Sequence, residues 1–105
     1  MTPETALALS GAELATVRGV LAAHLPPGFA ASAFGSRTRG DGKVKPWSDL
    51  DLVIEGPTPL PLPALARLAE AFDESDLPWK VDLVDRAGLD AAFVAIVDAD
   101  KVALG

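Results

Sequence analysis

The stretch from Ala33 to Leu52 constrains this chain more than any other. Ala33-Phe34-Gly35-Ser36 reads as a strand that breaks into a glycine turn. Ser48-Asp49-Leu50-Asp51-Leu52 reads as a second strand that opens with two carboxylates. Side chains alternate along a strand, so Asp49 and Asp51 share one face while Leu50 and Leu52 point into a core. With about 3.3 Å of rise per residue, their Cβ atoms lie roughly 6.5–7 Å apart. Carboxylates held that close repel unless a proton or a cation stands between them. Hard oxygen donors suit Mg²⁺. The backbone N–H groups of the Gly35-Ser36 turn, with the Ser36 hydroxyl, offer a site for phosphate oxygens. The same two residues also fit an ordinary serine N-cap after a strand.

A third acidic residue arrives later. Trp79 to Val84 reads as a strand with Val81 and Leu83 on one face and Asp82 and Val84 on the other. Asp82 lies in a run expected to be buried, where a carboxylate is costly unless it is paired or bound to a metal. Facing Lys80 or an arginine would also satisfy it. Asp85 falls on the opposite face from Asp82 and is left outside the site.

The remaining elements are read from period and punctuation. Ser10-Gly11-Ala12-Glu13 fits a capping box, and Leu14, Val17 and Leu21 follow at helical spacing. Pro26-Pro27-Gly28 ends that helix. His24, the only histidine, sits in its last turn and is assigned an exposed role. Phe29 to Phe34 is the first strand and Ser48 to Ile54 the second. Leu60 to Phe72 is a helix whose buried stripe is Leu62, Leu65, Leu68, Ala69 and Phe72. Asp90 to Val97 is a last helix, Asp98 to Lys101 a turn, and Val102-Ala103-Leu104 a short extended piece.

Composition excludes several classes. There is no cysteine, hence no disulfide, thiolate metal site or cysteine nucleophile, which is compatible with the cytoplasm. No run approaches the roughly 18 apolar residues of a membrane span, and the N-terminus lacks the basic start of a signal peptide. With 15 acidic against 9 basic residues, the net charge of −6 disfavours strong nucleic-acid binding. The basic residues are uneven, however. Arg37, Arg39, Lys43 and Lys45 fall between the Gly-Ser turn and the aspartates. A chain of 105 residues fits one domain. The expected fold is α+β, a small mixed sheet flanked by helices.

Gly35-Ser36, then Ser48-Asp49-Leu50-Asp51-Leu52, then Pro78-Trp79-Lys80-Val81-Asp82-Leu83 together resemble the signature of the DNA polymerase beta-type nucleotidyltransferase superfamily. The length resembles its small branch, the minimal nucleotidyltransferases (MNT domains). The resemblance runs from about Phe29 to Val84. It implies the polymerase beta-like nucleotidyltransferase fold and transfer of AMP from ATP to a hydroxyl. It also implies two Mg²⁺ ions held by Asp49, Asp51 and Asp82, with Gly35, Ser36, Arg37 and Arg39 on the nucleotide. The residues alone also permit a metal-dependent hydrolase. No acceptor-binding domain follows within the sequence, so the acceptor is expected on another molecule. The resemblance implies a helical HEPN-type partner protein, the toxin of a toxin–antitoxin pair. Two alternatives stand beside that reading: a non-catalytic antitoxin that neutralises its partner by complex formation, and nucleotidyl transfer to a small molecule.

Overall fold

The computed structural model describes residues 9–38 and 48–104. The first helix, α1, spans Gly11–His24. Its capping box forms as the sequence requires: the Ser10 hydroxyl accepts from the Glu13 N–H, and the Glu13 carboxylate accepts from the Ser10 N–H. The chain then builds β1 (Ala30–Phe34), a 3-10 turn (Ser36–Thr38), β2 (Leu50–Glu55), α2 (Leu62–Asp73) and β3 (Val81–Asp85). A second 3-10 turn (Arg86–Gly88), α3 (Ala91–Asp100) and β4 (Val102–Ala103) complete it.

The sheet order is β3-β2-β1-β4. β1 runs antiparallel to β2 and β4, whereas β2 and β3 are parallel. A parallel pair needs a long crossover, and α2 supplies it. The sheet is therefore mixed, and helices cover both of its faces. Leu50, Leu52 and Ile54 of β2 pack with Ala31 and Ala33 of β1 against Leu14, Val17 and Leu21 of α1 and Leu68 and Phe72 of α2. The alternate positions Phe34 and Val53 meet Val97 of α3 on the other face. Asp51 and Asp82 lie at the end of the sheet where β2 and β3 begin.

Several element ends and one buried position differ from the sequence reading. β2 begins at Leu50, so Ser48 and Asp49 precede the strand. β3 begins at Val81 rather than Trp79, although Trp79 is buried. Leu62 belongs to no buried stripe: it is 77% exposed at the first position of α2. Leu60, ahead of the helix, fills the core at that end, and the buried face of α2 rests on Leu65, Leu68 and Phe72. α3 runs on through Asp98 and Asp100 instead of turning. The carboxylate of Asp98 is matched there by Arg86 and Lys101, which also reach Glu55.

Asp85 fastens the far end of the sheet. Its carboxylate accepts from the Leu60 N–H at 2.7 Å and from the Ala87 N–H at 3.1 Å, tying the lead-in of α2 to the end of β3. Asp85→Ala leaves the Leu60 donor without that acceptor and is expected to cost about 1–3 kcal/mol in denaturant unfolding. Its specific activity, measured on the folded fraction, should stay at the parent level because Asp85 lies away from the aspartate end. A matching loss of specific activity would place it in the working site.

Candidate active site

β1 leaves the sheet where β2 and β3 begin. Phe34 is paired with Asp51 in the antiparallel register, and Asp51 with Asp82 in the parallel register. The last residue of β1 and two aspartates therefore form one row across three strands. Asp51 and Asp82 are both half-buried, whereas Asp49 is exposed just before β2. Lateral neighbours on paired strands present side chains on the same face, so Asp51 and Asp82 lie side by side.

The charges feel one another. The Asp51 carboxyl is held above the usual carboxylate range, first by burial and then by the negative charges of Asp82 and Asp49. All three sequence-predicted aspartates thus share one electrostatic field. Among the described residues, no three acidic or histidine side chains are already drawn into a closed cation cage. What the strands supply is a hard-oxygen donor set whose mutual repulsion a divalent cation would relieve. Those residues fit Mg²⁺ by the chemistry of their donors.

Gly35 presses against this row. Its φ is +84°, a conformation that suits glycine. A Cβ built on Gly35 would lie 2.6 Å from the Asp51 Oδ2. The missing side chain is what lets the turn backbone approach the carboxylate. Ser36 opens the 3-10 turn that follows, which is pinned by Thr38, whose N–H and hydroxyl both donate to the Gly35 carbonyl at 3.1 and 2.7 Å.

Arg37, which the resemblance assigns to the nucleotide, follows Ser36 in that turn. It is 4% exposed. Its Nε and Nη2 donate to the Ser48 carbonyl at 3.0 and 2.7 Å, and its guanidinium lies 4.4 Å from the centre of the Trp79 ring. Burial lowers its pKa, while the nearby carboxylates of Glu13 and Asp49 oppose that shift. A guanidinium committed in this way is turned toward the protein. Arg39, Lys43, Lys45 and Trp47 lie outside the described residues. Two supports of the site escaped the sequence reading. The Ser48 carbonyl has no residue-type signal, and Trp79 was read only as the start of a strand.

A cavity of about 450 Å³ near Arg18, Leu21, Pro27, Phe29 and Leu104 lies toward the start of β1, away from the aspartates. No helix among the described residues is long and apolar enough to cross a membrane.

A glycine turn at the end of one strand, facing aspartates on the next two in a mixed four-stranded sheet, defines a nucleotidyltransferase, and the chain belongs to that family. The nucleotidyltransferase domain matches residues 14–103. The chain is 46% identical over 97 residues to a protein of Haemophilus influenzae named probable protein adenylyltransferase MntA, covering 92% of this chain and 82% of that one. A solved toxin–antitoxin with AMP-PNP superimposes with a TM-score of 0.69 at 24% identity, over 88% of this chain and 72% of its own. A tri-AMPylated HEPN toxin in complex with an MNT antitoxin, from Shewanella oneidensis, gives a TM-score of 0.60 at 21% identity, over 88% and 71%. At these identities the two structures speak for the fold, which they share with this chain.

Proposed function

We propose that this nucleotidyltransferase moves AMP from ATP to a hydroxyl on a partner protein, as the antitoxin of a HEPN–MNT pair. The observation that carries the reading is the Asp51–Asp82 row with Gly35 packed against Asp51. It brings two carboxylates suited to a cation and a glycine turn suited to phosphate to one edge of the sheet. The 46% identical relative is named an adenylyltransferase acting on protein, which favours AMP and a protein acceptor. The AMP-PNP complex and the AMPylated toxin complex share this fold, which is consistent with both.

In this reading the residues divide the work. Asp49, Asp51 and Asp82 hold Mg²⁺, which supplies Lewis acidity at the α-phosphate and neutralises charge on the pyrophosphate. The Gly35-Ser36 turn anchors the terminal phosphates through backbone N–H groups. An acceptor hydroxyl comes within about 3–3.5 Å of the α-phosphorus, in line with the bond to the β-phosphate oxygen. The new O–P bond forms as the bond to pyrophosphate breaks, and Asp82 accepts the hydroxyl proton. Pyrophosphate leaves and AMP stays on the acceptor. Arg39, with Lys43 and Lys45, offers positive charge to the triphosphate or to an acidic partner surface.

Calorimetry tests the cation requirement. Three clustered carboxylates repel a triphosphate until cations intervene, so ATP is expected to bind with Mg²⁺ or Mn²⁺ and to lose at least ~10-fold in affinity with excess chelator. Equal affinity in the two conditions would remove the metal from the site.

A further inference from the structure

Asp49 lacks what holds the other two aspartates. Asp51 and Asp82 sit inside hydrogen-bonded strands, but Asp49 precedes β2 and is exposed. The Leu50 N–H donates to the Lys80 carbonyl at 2.9 Å. Just ahead of Asp49, the Ser48 carbonyl is gripped by the Arg37 side chain.

We infer that Arg37 is a positioning residue, whose guanidinium, seated on Trp79 and clamped to the Ser48 carbonyl, orients Asp49. Arg37 is one residue beyond Ser36 of the glycine turn, Ser48 adjoins Asp49, and Trp79 stands three residues ahead of Asp82. A single buried side chain therefore joins the three segments that bring the turn, the first aspartate and the third aspartate to one place. Two donors aimed at one carbonyl oxygen fix both the distance and the tilt of that peptide. The indole adds a cation–π contact at 4.4 Å, and a lysine ammonium cannot reproduce it together with the two-donor fork. Glu13 at the start of α1 and Asp49 are carboxylates whose charge partly offsets the cost of burying this cation.

The inference rests on the nucleotidyl-transfer reading for the purpose of Asp49, and its test separates the two. Mn²⁺ binding to the nucleotide-free protein is titrated for the parent, Arg37→Met, Arg37→Lys and Trp79→Phe. AMP transfer is measured alongside on the complex with the partner. A residue acting only through its charge repels the cation, so its removal would tighten Mn²⁺ binding. A residue that positions a ligand weakens it when lost. We expect Mn²⁺ affinity to fall ~10-fold in Arg37→Met and kcat to fall ~100-fold, with the KM for ATP within about threefold of the parent. Arg37→Lys keeps the charge but loses the fork and the stack, and is expected to recover less than a third of the lost kcat. Trp79→Phe should move Mn²⁺ affinity and kcat in the same direction by ~3-fold. It carries the test with Arg37→Lys should Arg37→Met fail to fold. Tighter Mn²⁺ binding in Arg37→Met, full activity in Arg37→Lys, or a raised KM with kcat unchanged would each overturn the assignment. A parent protein that transfers no AMP would sink the functional reading, while the Mn²⁺ titrations would still decide the role of Arg37.

Discussion

Asp51→Asn is expected to abolish transfer, by roughly 10³-fold or more in kcat, while making the metal-free protein more stable at neutral pH. The two effects have one origin. Burial and the charges of Asp82 and Asp49 raise the pKa of Asp51 in the folded state. Between its unfolded pKa and that raised value, the folded protein binds more protons than the unfolded one. Stability therefore falls as pH rises through that window, and the penalty is fully present above it. Asparagine keeps the shape and removes the charge, so the penalty disappears. In the proposed mechanism the substitution also deletes a cation ligand at the centre of the row. Melting curves without metal from pH 4 to pH 8 check the sign: the parent should lose stability relative to Asp51→Asn as pH rises. A lower melting temperature for Asp51→Asn at pH 7.5 would mean that the carboxylate is a structural anchor.

Gly35→Ala is expected to damage both fold and activity. The positive φ there disfavours any side chain by about 1–2 kcal/mol. The new methyl group would also meet the Asp51 Oδ2 at 2.6 Å. That contact is closer than real Cβ atoms tolerate, so the carboxylate or the turn has to shift. A displacement of this size at a reacting centre costs on the order of 10²-fold in rate. The expected result is a loss of roughly 1–2 kcal/mol in denaturant unfolding with a ~100-fold drop in kcat. Loss of stability with kcat preserved would show that the turn and Asp51 do not act together.

Much of this was legible because the chemistry interrupts the periodicity. Asp51 and Asp82 stand out as carboxylates among apolar strand residues; alternation placed Asp49 and Asp51 on one face, and the family resemblance added Asp82. The Ser10–Glu13 capping box and the proline stop after α1 likewise depend on residues within a few positions. What escaped depends on tertiary neighbours. Leu62 matches helical period yet stands in solvent, because Leu60 already fills the core beside it. Asp98 and Asp100 read as a turn, yet α3 continues through them, with Asp98 matched by Arg86 and Lys101. Arg37 read as a cation for the nucleotide. Its commitment to the Ser48 carbonyl and Trp79 joins positions far apart in the chain, and no local pattern encodes that.

The central claim is transfer of the nucleotidyl group, and the fate of the label in ATP tests it most directly. The protein, the proposed HEPN-type partner and Mg²⁺ are incubated with ATP labelled at the α-phosphate or, separately, at the γ-phosphate. The account predicts that the α-label alone becomes bound to the partner, that each event adds the mass of one AMP unit, and that pyrophosphate appears in equal amount. Asp51→Asn should leave the partner unlabelled. Label from the γ-phosphate on the partner, or a partner neutralised in a stable complex with no label at all, would contradict it.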